Sequence, residues 1–319
     1  MGRLNIPPPR AHLQGTLALF DALVRLSGGH AQAARVRTWL MRPQDLPPSV
    51  VPEQNSLKYD MYWTQEGDQT RWGFTICDRY EARRLPWPTL AGQLGGAYRT
   101  DGLQALTEGL DGDPALTLSL GFDHPTAPPR LKLYLQEELW DAGVGTAARV
   151  RPLLDRVVPG CTLPGWVPAD RRVGVISLEC RPTGETGFKV YLGGATPQAA
   201  AAGAPDQAQA LAQAMAETST LGDGWYYLTL RLRPAEPVRY ALNRIYNTVQ
   251  LGFSAGGRGL ESAWDDVGRQ FARAGRQDAF DALTDVVRHL PGVRVVPTAT
   301  ALEHGCASAD VYFAAWARQ

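Results

Sequence analysis

Residues 130–136 read Arg-Leu-Lys-Leu-Tyr-Leu-Gln, and residues 187–193 read Gly-Phe-Lys-Val-Tyr-Leu-Gly. Both alternate strictly. Leu131, Leu133 and Leu135 oppose Arg130, Lys132, Tyr134 and Gln136, and Phe188, Val190 and Leu192 oppose Gly187, Lys189, Tyr191 and Gly193. Successive side chains of a strand point to opposite faces. Each stretch is therefore a strand with one apolar face and one face of cations and tyrosines.

Both strands have an alternating partner just before them. Ala115 to Phe122 precedes the first across Asp123 to Pro129, and Val173 to Cys180 precedes the second across Pro182-Thr183-Gly184. Connections this short make antiparallel hairpins. Further pairs follow the same rule: Leu57 to Trp63 with Arg71 to Cys77 across Gln65-Glu66-Gly67-Asp68; Trp225 to Arg233 with Val238 to about Tyr246 across Pro234 to Pro237; and Val293 to about Thr300 with Ala309 to Trp316 through Glu303-His304-Gly305. Between the hairpins, Leu13–Leu26, Leu90–Leu110, Gly145–Val158, Gln198–Ser219 and Leu260–Leu290 carry apolar residues at helical spacing, with interruptions. The hairpins recur at about sixty residues, as in a divergent repeat. This rhythm differs from the strand–helix–strand order of a parallel sheet. It predicts an α+β fold in one domain over residues 1–319: five helix-plus-hairpin repeats whose ten antiparallel strands close into a barrel with a solvent-filled lumen and helices outside. Closure removes exposed edges.

The apolar faces, which also include Trp72, Phe74 and Ile76, Leu228, Leu230 and Leu232, and Val311, Phe313 and Ala315, require a partner, and the helices supply it. The other faces then line the lumen. They hold Lys58, Asp60 and Tyr62; Arg71, Gly73, Thr75 and Cys77; Tyr227, Thr229, Arg231 and Arg233; and Tyr312, Ala314 and Trp316. A basic, aromatic interior suits an anionic ligand with an apolar or cation-like part. An open sheet with its polar faces in water is the plainer alternative. It does not account for Lys-x-Tyr recurring at one place in successive hairpins, as Lys132-Leu133-Tyr134 and Lys189-Val190-Tyr191.

This helix–hairpin repeat, with Arg-Leu-Lys-Leu-Tyr-Leu at 130–135 and Phe-Lys-Val-Tyr-Leu at 188–192, resembles the ABBA-type aromatic prenyltransferases over about residues 50 to 318. That group includes dimethylallyltryptophan synthases and bacterial indole and phenol prenyltransferases. The resemblance implies a barrel binding an allylic diphosphate and an aromatic acceptor (an indole, tryptophan, a phenol or a peptide side chain), with the diphosphate held by Lys, Arg and Tyr and no metal required. By position it implies diphosphate binding at Lys132, Tyr134, Lys189, Tyr191, Arg71 and Arg231, with Tyr312 and Trp316 as lumen neighbours. Where some relatives carry a basic residue two before the Lys of the third hairpin, this chain has Gly187.

The residue types suit that chemistry. Cations in a low-dielectric lumen stabilise a departing diphosphate. Tyr134, Tyr191, Tyr227, Tyr312 and Trp316 would shield the allylic cation from water, with cation–π contacts of about 0.5–2 kcal/mol each. A carboxylate must then take the acceptor's proton, and Asp60 is the first candidate and Glu179 the second. No aspartate-rich DDxxD run is present, since Asp265-Asp266 lacks a third acid at the right spacing, so chemistry without magnesium is expected.

Composition restricts the alternatives. The 319 residues carry 32 Lys and Arg against 32 Asp and Glu, so there is no net field for nucleic acid, and the 44% hydrophobic content supports a large core. No apolar run is long enough to span a membrane, and the first residues, Met-Gly-Arg-Leu-Asn-Ile-Pro-Pro-Pro, lack a signal-peptide core. Cys77, Cys161, Cys180 and Cys306 form no CxxC pair and fit the reduced thiols of a cytoplasmic protein. Gly252-Phe253-Ser254-Ala255-Gly256 matches a GxSxG elbow, with Asp285, His289 and His304 downstream, so a serine hydrolase is one alternative. A non-catalytic barrel carrying a lipid or aromatic metabolite is another.

Overall fold

The computed structural model describes residues 9–31, 33–41, 59–66, 69–81, 87–108, 115–136, 145–219, 221, 224–246 and 258–317. The elements run α1 (Pro9–Leu26), α2 (Ala33–Met41), β1 (Tyr59–Glu66), β2 (Gln69–Glu81), α3 (Trp87–Leu94), α4 (Asp101–Glu108), β3 (Ala115–Phe122), β4 (Arg130–Gln136), α5 (Ala147–Val157), β5 (Val173–Cys180), β6 (Thr186–Gly194), α6 (Pro197–Ala200), α7 (Asp206–Thr218), β7 (Trp225–Leu232), β8 (Arg239–Ile245), α8 (Arg258–Arg273), α9 (Gln277–Val287), β9 (Val293–Glu303) and β10 (Ser308–Ala317). The strands form one closed barrel in the order β1-β10-β9-β8-β7-β6-β5-β4-β3-β2. Sequence neighbours pair antiparallel throughout, and β1 pairs with β10 to close the ring, from Met61 against Phe313 to Glu66 against Ser308. No helix among the described residues is long and apolar enough to cross a membrane.

The hydrophobic core is the shell between barrel wall and helices. The outward leucines of β4 and β7 are buried, as are Phe188, Val190 and Leu192 of β6. They meet Leu103 and Leu106 of α4, Leu154 of α5, Leu211 and Met215 of α7, and Trp264, Val267 and Phe271 of α8. Removing each such side chain from water contributes about 1.5–3 kcal/mol, and this is what sends the opposite, polar faces into the lumen. At the seam α1 lies directly on β10: a Cβ on Gly15 would fall 2.4 Å from the backbone of Trp316.

Several boundaries differ from expectation. Leu90–Leu110 is two helices, because Gly95 takes a left-handed turn (φ 76°), and Leu260–Leu290 is two, because Gly275 does (φ 67°). Helix α2 is a second helix ahead of the first strand. β9 extends through Glu303, so the turn into β10 is a tight 3-10 turn at His304–Cys306. The GxSxG motif around Ser254 and the side chain of His304 lie outside the described residues. Asp285 and His289 are exposed, and the described barrel is antiparallel throughout, with no parallel strand to present a nucleophile elbow.

Candidate active site

Register brings the cations of different hairpins to one level. Lys132 pairs with Glu179 across β4 and β5, Glu179 with Gly187 across β5 and β6, and Lys189 with Arg231 across β6 and β7. Residues opposite one another in antiparallel strands share a face. Glu179, buried, is the hub. Its carboxylate accepts from Arg130 at 2.9 Å and lies 3.4 Å from Arg233, 3.5 Å from Arg181 and 3.7 Å from Lys189. Burial opposes its ionisation, but Arg130, Lys189, Lys132 and Arg231 hold the carboxyl well below the ordinary carboxylate range. Arg130 also donates to Asp123 at 2.6 Å. Arg71, half-buried, pairs with Glu66 at 2.7 Å, and Arg231 pairs with Glu303.

The same crowding acts on the lysines. Burial, then Arg231, lowers Lys189 to about 7 despite the opposing pull of Glu179. Burial, then Arg130 and Lys189, lowers Lys132 well below its ordinary value. The tier borders a cleft lined by seven basic side chains and only three carboxylates. Of these seven only Arg130 and Lys189 are buried, and such a surplus of positive charge has the chemistry to attract a multivalent anion. Gly187 leaves part of the wall bare, and Arg233 lies across it, with its Cγ 3.3 Å from where a Cβ would sit.

Beside the cations is a tier of aromatic rings. Lys132 joins the two, donating to the Tyr62 hydroxyl at 3.1 Å with its ammonium 4.5 Å from the Tyr62 ring centre. Tyr62 faces Tyr312 at 5.8 Å, Tyr134 faces Tyr191 at 6.4 Å, and Tyr191 meets Tyr227 edge-on at 6.2 Å. Burial pushes the Tyr134 phenol up to about 12, and those of Tyr62, Tyr191 and Tyr312 also lie well above the ordinary value. All four rings therefore stay neutral near pH 7, presenting electron-rich faces without an ionised oxygen.

No family model matches the sequence, and no curated protein matches it. The architecture, by contrast, is matched almost end to end. The structure is similar to prenyltransferase PriB in ternary complex with L-tryptophan and dimethylallyl thiolodiphosphate (TM-score 0.61, 17% identity, 94% of each chain). It is similar to 5-dimethylallyltryptophan synthase from Streptomyces coelicolor (TM-score 0.60, 14% identity, covering 94% of this chain and 96% of that one). It is also similar to AnaPT from Neosartorya fischeri (TM-score 0.67, 10% identity, covering 98% and 95%).

The chain has the fold of the aromatic prenyltransferases.

On this barrel the residues singled out in the sequence fall as follows. Lys132, Lys189, Arg71, Arg231, Tyr134, Tyr191, Tyr227 and Tyr312 all gather in the two tiers. Trp316 is half-buried near the end of β10 and packs against the hydrophobic cluster. Asp60 pairs through its backbone with Thr75, while its side chain lies outside the described part of the structure. Glu179 sits among the cations, and its low proton affinity makes it an ion-pair hub and a poor base. Roles for Tyr62, Arg130, Arg233 and Asp310 were not assigned from the sequence. The signal was available for Tyr62 and Asp310: Tyr62 shares its face with Lys58 and Asp60, and Asp310 is two residues along β10 from lumenal Tyr312.

Proposed function

We propose that this barrel transfers a prenyl group from an allylic diphosphate to an aromatic acceptor, without a required metal. The reading rests chiefly on one observation: the cation tier and the tyrosine tier are joined at Lys132 and share strands β4 and β6. The diphosphate would bind among Lys132, Lys189, Arg71, Arg130 and Arg231, where the positive surplus meets the charge that builds on the leaving oxygen as the C–O bond breaks. The allylic cation left behind would lie among Tyr62, Tyr134, Tyr191, Tyr227 and Tyr312, out of water and facing neutral rings. The acceptor's π electrons then form the new bond. Indoles, tryptophan first, and phenols are the acceptors we favour, because PriB holds tryptophan in the same fold. The unpaired Cys161, Cys180 and Cys306 fit a reducing compartment, and we place the protein in the cytoplasm.

The test is incubation with dimethylallyl or geranyl diphosphate and a panel of indoles and phenols, with and without EDTA. A mass gain of one prenyl unit that survives EDTA is expected. Lys132→Ala and Lys189→Ala should each lower kcat/KM by about 10²-fold, as loss of a charge-assisted contact to the leaving group does. Tight pyrophosphate binding with no product across the panel would instead make the barrel a carrier.

A further inference from the structure

The described lumenal carboxylates are almost all neutralised: Glu66 by Arg71, Glu179 by Arg130, and Glu303 by Arg231. Asp310 on β10 is the exception among the described residues. It is 3% exposed, and its Oδ1 is buried without a hydrogen-bond partner. Its carboxylate accepts a hydrogen bond from Thr64, its Cα partner on β1. An unsatisfied buried acceptor costs free energy, about 1–3 kcal/mol, unless a ligand or proton supplies the missing contact.

Position says which contact that is. β10 stands opposite β5 in the ring of strands, across the lumen from the Lys132–Glu179–Lys189 wall. Its lumenal surroundings are small: Ala301 is its partner on β9, Ala299 pairs with Tyr312, and Ala314 follows. Small side chains therefore flank the Asp310 carboxylate on the β9 side.

We propose that Asp310 is the proton acceptor of the transfer, a catalytic residue facing the aromatic acceptor; this rests on the transferase reading above. The allylic C–O bond breaks and its electron pair leaves with diphosphate. The acceptor ring uses a π pair to form the C–C bond. The C–H pair at the substituted carbon then returns to the ring, and the proton passes to Asp310 Oδ1 and later to water. The setting suits a base that strengthens when needed. Burial raises the proton affinity of Asp310, while Arg231, the Thr64 hydrogen bond, Lys189 and Lys132 lower it. A bound diphosphate engages those cations and so strengthens the base that faces them across the lumen.

The experiment compares the full-length protein with Asp310→Asn, using an acceptor that the unaltered protein prenylates and its analogue deuterated at the substituted carbon. Removal of a general base predicts a fall in kcat of about 10²–10⁴-fold. KM for the prenyl diphosphate should hardly change, and a primary deuterium effect on kcat should appear that the unaltered protein lacks, because proton removal becomes limiting. If Asp310→Asn does not fold, Asp310→Ala with added formate replaces it, and restored turnover supports the assignment. Unchanged kcat without a deuterium effect, or no rescue by formate, overturns it. If the unaltered protein makes no product with any acceptor, it is the transferase reading that fails.

Discussion

Tyr62 lies across two neighbouring strands because neither has a side chain beneath it. A Cβ on Gly73 would fall 2.5 Å from the Tyr62 ring, and one on Gly121 would fall 2.2 Å from its hydroxyl. That hydroxyl is what Lys132 donates to, so two glycines indirectly set the position of a lysine. Gly121→Ala should therefore displace the ring, at a cost of about 1–3 kcal/mol for overpacking. In a Tyr62→Ala background the same change should cost little, since the clash is gone. Urea unfolding of the four variants measures the coupling, and equal costs in both backgrounds would refute it. At this scale the sequence was half legible. Alternation alone put Lys132, Tyr134, Lys189 and Tyr191 on one face, because parity needs only the strand itself. That Glu179 is a hub, or that Arg233 covers Gly187, depends on which residues of other strands stand opposite, and alternation carries no register.

The elements show the same division. Hairpins were legible because a two-residue period and a short turn are both local. Helix breaks at Gly95 and Gly275 were not, because apolar spacing continues across a left-handed glycine. Nor was the anchoring of α8 to the barrel. Arg244 on β8 points outward yet is fully buried; it donates to Asp266 of α8 at 2.7 Å and to the Leu221 carbonyl. The Tyr246 hydroxyl donates to the same carboxylate at 3.1 Å, and Arg269 pairs with it at 3.2 Å. A cation on an apolar face contradicts the pattern that marks the strand, and only a partner on a distant helix makes it tolerable. Asp266→Asn should leave Arg244 buried and unpaired and lower stability by about 3–5 kcal/mol. Arg244→Met in the same chain should restore much of that, because no stranded charge remains. Thermal unfolding of the single and double variants decides the point, and a single variant as stable as the parent would show the pair to be dispensable.

Across the whole molecule, closure of the barrel brings positive charge from four of the five hairpins to one site, and the resulting field ties anion binding to protons. Lys189 illustrates the sign. Its folded value of about 7 lies below its ordinary 10.5, so between these limits the folded chain holds fewer protons than the unfolded one. Stability should accordingly rise with pH across that window; the cost of burying this ammonium is fully present below about pH 7. Glu179 acts at the other end of the scale: its contribution is present above the ordinary carboxylate range and is lost as pH falls through its depressed folded value. An anion entering the cation tier favours the charged form of Lys189, so the free protein must gather a proton as it binds. Calorimetric titration with inorganic pyrophosphate at about pH 8, in two buffers of different ionisation enthalpy, should show proton uptake by Lys189 set against the proton that the pyrophosphate itself gives up. In Lys189→Met the uptake should shrink while some binding persists through Arg71, Arg130 and Arg231. The same buffer dependence in the unaltered protein and in Lys189→Met would mean that Lys189 is already charged in the empty barrel, and that the field of its neighbours does not govern its proton.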